Sequence, residues 1–207
     1  MQEKHPDFQI NSAGKPLEKN ILVMAVVPIG ILLNHAMGML TLYIKVPLYL
    51  DNIGTLLTII LVGTPAGVMT GILSSLLQGL LINPVIPYYT STHIAIALFA
   101  GWMAKKGYFR TIPKTIVTGI FMGLVSGSAN APIVILLGGF TGTCTDVTTA
   151  LLLANGQSIF KSAFLANFAN EPFDKIIQCL LVVWLIRGMP RVLKNHFANS
   201  GYLARNL

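Results

Sequence analysis

Seven acidic side chains are spread over 207 residues, and four of them, Asp51, Asp146, Glu171 and Asp174, stand among amides, hydroxyls and aromatic rings. Asp51 precedes Asn52. Asp146 closes the run Gly138-Gly139-Phe140-Thr141-Gly142-Thr143-Cys144-Thr145, and Glu171 and Asp174 belong to Asn170-Glu171-Pro172-Phe173-Asp174-Lys175. A further polar cluster holds Asn83, Tyr88, Tyr89, Thr90, Ser91, Thr92 and His93. In apolar surroundings such groups suit a small-molecule pocket, where a few polar atoms fix orientation and apolar walls supply affinity. They do not form catalytic machinery. The sequence has no G-x-x-x-x-G-K-[ST] phosphate loop, so it does not itself hydrolyse ATP by that route. No H-E-x-x-H, G-x-S-x-G or C-x-x-C motif occurs. An intramembrane aspartyl hydrolase needs two carboxylates at one depth within spans, whereas these acids fall in or near loops. The four histidines are scattered, which disfavours metal binding. The expectation is a binding protein with no enzymatic activity, no cofactor and no metal.

The elements that must position these residues are apolar helices. Between Lys45 and Lys105 the only formally charged residue is Asp51. A soluble fold needs charged faces throughout such a span, so the better solvent is lipid. Charged residues make up 10% of the chain, against roughly 25% in ordinary globular proteins. The predicted spans are Ile21–Tyr43, Ile53–Val62, Gly67–Ile82, Thr92–Ala104, Ile116–Leu137 and Glu171–Ile186. The second is marginal in length, and the lysines and arginines arbitrate it, because cytoplasmic loops retain positive charge during insertion. With six spans and the N-terminus inside, Lys4, Lys15, Lys19, Lys105, Lys106, Arg110, Lys114, Arg187, Arg191, Lys194 and Arg205 are cytoplasmic. Lys45, Lys161 and Lys175 alone lie outside. The expected fold is therefore all-α, an integral membrane bundle of six transmembrane helices with both termini cytoplasmic. Residues 1–20 form a polar arm without the apolar centre of a secretion signal, 21–190 the membrane domain, and 191–207 a cytoplasmic tail. The net charge of +7 fits membrane topology and anionic lipid rather than nucleic acid, because the basic residues flank apolar spans. Cys144 and Cys179 fall in a loop and a span and read as unpaired.

On this topology the polar clusters gather at the outer side, under three outer loops of which 138–170 is long enough to expect function. Asn170 reads as an N-cap, with Glu171 and Asp174 at the positive helix end and Pro172 in the first turn; substrate contact is a compatible reading. Asn34, His35, Gln78 and Asn130 lie inside spans, where amides either bond a neighbouring helix or face a ligand. Small residues recur at four-residue spacing as Gly67, Gly71, Ser75, Gly79 and as Gly119, Gly123, Gly127, Ala131, with a shorter set of Gly30, Asn34 and Gly38. Such stripes permit close helix packing, within the bundle or against a partner membrane subunit. No inverted repeat or intramembrane acid chain marks a secondary transporter.

Pro28-x-Gly30-x-x-x-Asn34, Pro47-Leu48-Tyr49-Leu50-Asp51-Asn52-Ile53-Gly54-Thr55 and Gly63-x-Pro65-x-Gly67, with the later Gly138-Gly139-x-Thr141-Gly142, Asp146 and Glu171-x-x-Asp174-Lys175, resemble the substrate-binding S components of energy-coupling factor (ECF) transporters. The resemblance covers about Ile21 to Arg191. It implies a multi-pass subunit of a prokaryotic plasma membrane that captures a vitamin or related micronutrient outside and releases it inside. A transmembrane coupling subunit and two cytosolic ATPases would supply the energy. Asn34, Asp51, Asn52, Asn83, Tyr88, Tyr89, His93, Asp146, Glu171 and Asp174 would then contact substrate. Many S components dock through two alanines four apart on the first span; here Ala25 is followed at that spacing by Ile29. The docking role passes to Gly30, Gly38, Gly67, Gly71, Ser75 and Gly79. Few outer cations accompany the acids, which argues against a phosphorylated ligand and for a neutral or weakly cationic heterocycle. Pyridoxine-type vitamin B6 is the first guess, with cobalamin, thiazole precursors and deazapurines open. A self-contained channel or facilitator, or a membrane scaffold, are the alternatives.

Overall fold

A computed structural model describes residues 17–44, 46–139, 141–143, 145–197 and 201–206. The described residues are helical and include no strand. The long helices are α1 (Leu17–Ile44), α3 (Thr64–Leu81), α4 (Thr90–Lys105), α5 (Ile112–Leu136) and α7 (Ile159–Gly188). Shorter ones are α2 (Ile53–Leu61), α6 (Asp146–Ala154), α8 (Arg191–Phe197) and α9 (Leu203–Asn206), and a 3-10 turn covers Ile86–Tyr89. Three segments are long and apolar enough to cross a membrane: Met24–Ile44, Thr64–Leu81 and Ile112–Leu136. Their outward faces carry Met24, Leu32, Tyr43, Leu80 and Leu136, all largely exposed; such a continuous apolar surface suits lipid rather than water. The predicted arm falls mostly outside the described residues, as do Lys45 and Cys144.

Two elements depart from the sequence expectation. At nine residues, α2 is about 14 Å long and does not cross a hydrocarbon core by itself. It is a core helix instead, with every residue but Leu57 buried. The last long helix starts at Ile159, twelve residues before the expected Glu171. Its N-cap is Ser158, whose hydroxyl accepts the Lys161 N–H at 3.4 Å, and Asn170 instead donates to the Thr148 hydroxyl at 2.9 Å. Glu171, Pro172 and Asp174 therefore sit mid-helix and cap nothing. The Asn-Glu-Pro triplet imitates a helix start because proline suits a first turn, but here its missing N–H is accommodated inside α7.

Small residues set the packing, and they do so within the chain. On the face of α5 that meets α7, a Cβ on Gly119 would come within 2.6 Å of the Ile176 Cα, and one on Gly123 within 2.5 Å of the Pro172 nitrogen. The stripe expected to dock a partner is likewise occupied internally. Gly30 abuts Thr58 and Gly54, Gly67 abuts Ile59, Gly71 lies against His93, and Gly79 against Pro87. The Ser75 hydroxyl bonds Thr90 at 2.9 Å, and Gly38 lies against Gln78. At these six positions the close neighbours are elements of the same chain.

The helices alternate in direction. The C-terminal ends of α1 and α3 and the N-terminal ends of α2 and α4 meet at one end of the bundle. At the other end the residues after α7 fold back rather than trailing as a tail. Tyr202 N–H donates to the Ile60 carbonyl at 2.8 Å. Asn206 donates to the Ala104 carbonyl at 2.9 Å and accepts from Phe109 N–H at 3.0 Å, and Leu203 is fully buried. Arg187 and Arg205 reach the carbonyls of Arg110 and Lys105 at 3.1 and 2.9 Å there, so the basic residues collect at this end.

Candidate functional site

At the end away from the basic residues the helices enclose a cavity of about 670 Å³, its mouth included. Its walls come from Gly38 and Thr41 of α1, Gln78 of α3, Thr92, His93 and Ile96 of α4, Asn130 of α5, and Glu171 and Lys175 of α7. The segment between α1 and α2 adds Tyr49, Asp51 and Asn52; Asn83, Ile86, Tyr89, Gly142 and Thr143 complete the rim.

The floor is a buried charge cluster on α7. Glu171, Asp174 and Lys175 share one helix face, since three and four residues span nearly a whole turn. Glu171 accepts the Ser126 hydroxyl at 2.6 Å and the Asn130 amide at 2.5 Å, both from α5. Lys175 lies 3.2 Å from Glu171 and 2.6 Å from Asp174. Asp174 meets the segment between α1 and α2 instead: it accepts the backbone N–H groups of Tyr49 and Leu50 at 3.0 Å each, and the Gln178 amide at 2.7 Å. Leu50 has φ of 51°, a left-handed conformation that costs a non-glycine residue roughly 1–2 kcal/mol. Asp174 thus holds a strained turn in place, and the turn presents Tyr49 and Asp51 to the cavity.

One wall is a chain of three side chains. Asn52 donates its amide to Asp51 at 2.7 Å and offers its oxygen to Nδ1 of His93 at 2.8 Å. An amide oxygen only accepts, so Nδ1 carries the proton and Nε2 presents its lone pair. Nε2 lies 3.8 Å from the free Asp51 oxygen. On residues that line the same cavity, Gln78 Nε2, Tyr89 Oη, Thr92 Oγ1 and Asn130 Oδ1 are buried without a hydrogen-bond partner among the described residues. Buried polar atoms are nearly always satisfied, so these orphans are polar capacity that the chain itself leaves unused.

The rim is ordered by Asp146, whose carboxylate accepts the N–H groups of Thr141 and Gly142 at 3.1 and 2.7 Å. Asn83 donates to the Thr141 carbonyl at 2.9 Å. Gly142 (φ 67°) leaves room for that contact, because a Cβ there would meet the Asn83 amide at 2.8 Å. The Tyr49 hydroxyl lies 2.9 Å from that of Thr145. Burial pushes Tyr89 up to about 12, so its hydroxyl stays protonated at neutral pH.

Of the ten residues predicted to contact substrate, Asp51, Asn52, Asn83, Tyr89, His93 and Glu171 converge on the cavity. Four do not line it. Asn34 is a fully buried hub that accepts the Gly54 N–H at 2.6 Å and donates to Thr55 and Ser74 at 2.9 Å each. Tyr88 is 64% exposed outside the rim. Asp146 and Asp174 spend their oxygens on backbone amides and neighbouring side chains, and position the walls instead. Tyr49, Thr92 and Lys175 line the cavity without being expected there, and so do Gln78 and Asn130, whose places in the spans fit either a helix contact or a ligand. Lys175 reads in sequence as neutralising its neighbour Asp174, although its spacing from Glu171 marks a second, same-face partner. Among the described residues no group of His, Cys, Asp and Glu is arranged to hold a metal ion, and Cys179 is buried and unpaired. No protein-family model matches the chain, and neither does any curated protein or solved structure.

Proposed function

We propose that this chain is a membrane-embedded small-molecule-binding protein working as the substrate-capturing subunit of an ATP-driven importer, as its resemblance to ECF S components implies. The observation that carries the reading is the cavity itself, walled by five helices and the segments that join them, with buried polar atoms on its lining residues that have no partner among the described residues.

Membrane passage of six segments accords with the alternating helix directions. The short α2 completes its crossing through residues 46–52, whose non-helical backbone lines the cavity and has the amides of Tyr49 and Leu50 capped by Asp174. Irregular backbone is tolerated at membrane depth where it is buried in protein or lines a cavity. The basic end then faces the cytoplasm with both termini, and the cavity faces outward in a prokaryotic plasma membrane. The substrate is a vitamin-like molecule, pyridoxine-type being the first candidate. A coupling subunit and two cytosolic ATPases reorient the loaded chain for release inside. Because the small-residue stripes are filled internally, docking falls to the exposed apolar faces of the bundle.

Native mass spectrometry of the freshly purified chain tests this. One small molecule should be retained per chain; Asp51→Asn should weaken retention about tenfold, as loss of one charged hydrogen bond requires, and Glu171→Gln should weaken it by loosening the bonds to Ser126, Asn130 and Lys175 that shape the floor. No retained molecule, together with variants indistinguishable from the parent chain, would remove the proposal. Uptake without the ATPase subunits would replace the importer by a facilitator.

A further inference from the structure

Resting on that reading of the cavity, we infer that the substrate carries a positive charge, a protonated amine, amidine or ring nitrogen held between the Asp51 carboxylate and Nε2 of His93. The argument starts from which oxygens are free. Asp174 has donors on both of its oxygens, and Glu171 takes Ser126 and Asn130 as well as Lys175. Asp51 differs: one oxygen accepts the Asn52 amide at 2.7 Å, and the other has only His93 Nε2, at 3.8 Å. That separation is too long for a hydrogen bond. It is right for two acceptors to share one nitrogen lying about 2.9 Å from each.

Charge count points the same way. Three carboxylates, those of Asp51, Glu171 and Asp174, face the single ammonium of Lys175, which is already engaged by two of them. A buried carboxylate without a counter-charge is costly, and a monovalent cation beside Asp51 offsets it, whereas an anionic ligand would add to the excess. The Gln78 and Asn130 side chains that line the same cavity are neutral amides and add no counter-charge for Asp51. The ligand class is therefore a compact cation. A phosphorylated form is excluded from this class.

Three probes of one size and shape separate charge from fit: benzamidine, benzamide and benzoate, titrated calorimetrically into the detergent-purified full chain. Benzamidine should bind about tenfold or more tighter than benzamide, the worth of a charge-assisted hydrogen bond, with benzoate weakest. Asp51→Asn should bring benzamidine and benzamide together while leaving the ligand-free unfolding temperature near that of the parent chain. Should that variant fail to fold, His93→Phe carries the same test, because it removes the other acceptor. Equal affinity for the three probes, or an undiminished preference in both variants, overturns the inference. A neutral or anionic molecule retained in native mass spectrometry overturns it too while leaving the substrate pocket standing. Silence toward all three probes with nothing retained removes both.

Discussion

Gly123 and Gly127 lie one turn apart on the same face of α5, yet alanine should act on them in opposite directions. At Gly127 an added Cβ would lie 3.8 Å from the Asn167 carbonyl and Phe168, which is ordinary contact, so the change gains helix propensity of about 1 kcal/mol. At Gly123 the Cβ would come within 2.5 Å of the Pro172 nitrogen and 2.8 Å of the Glu171 carbonyl carbon. Those are backbone atoms and no rotamer change relieves them, so α7 must retreat by about 1 Å to restore normal contact. The Glu171 bonds to Asn130 and Ser126 start at 2.5 and 2.6 Å, and the same retreat stretches both to about 3.5 Å, past useful length. Overpacking of about 1–3 kcal/mol and two weakened charged hydrogen bonds of about 1.5–3 kcal/mol each outweigh the propensity gain, leaving a net loss on the order of 3 kcal/mol or more. Reversible unfolding in mild detergent reads the stability, and native mass spectrometry reads ligand retention. Gly123→Ala should lose both and Gly127→Ala neither. Equal behaviour of the two variants would refute the claim that this contact sets the cavity floor.

Asp174→Asn would turn an amide nitrogen toward donors it cannot satisfy and leave Lys175 with one carboxylate. Stability should fall by about 3–5 kcal/mol, as for other broken buried pairs, and the Tyr49 and Leu50 amides should exchange faster with deuterium; unchanged exchange would show that the turn holds itself. In a spectrophotometric titration Tyr89→Phe should delete a step near the value of about 12. The unfolded chain ionises its tyrosines near pH 10, so burial of Tyr89 costs nothing below that pH and removes stability between about 10 and 12. A Tyr89→Phe chain with the same alkaline stability profile would contradict this.

The helices were legible wherever an apolar run is bounded by charge, and α1, α3, α4 and α5 lie within a few residues of where the sequence places them. The start of α7 was not, because Asn170-Glu171-Pro172 carries every local mark of a helix beginning while the true cap, Ser158, follows an inconspicuous Gly156-Gln157. Glycine spacing announced close packing but could not say against what, since a stripe that meets Ile59 or Pro172 looks the same as one that meets another protein. The polar positions of the cavity stood out against apolar surroundings, and six of the ten expected contacts line it. Separating Glu171 from Asp174 was beyond local pattern: both face inward, and only the backbone of Tyr49 and Leu50, 125 and 124 residues away in sequence, decides which one is left toward the cavity.

That long-range tie has a consequence for biogenesis. Until α7 is made, the turn at Leu50 lacks the carboxylate that accepts its amides, and Ser126 and Asn130 lack theirs. Arrival of α7 satisfies all of these together, bringing its own acids and ammonium as one paired group. Docking of that one helix is thus the step that completes the cavity, and a ribosome-bound fragment lacking it should leave the floor unformed.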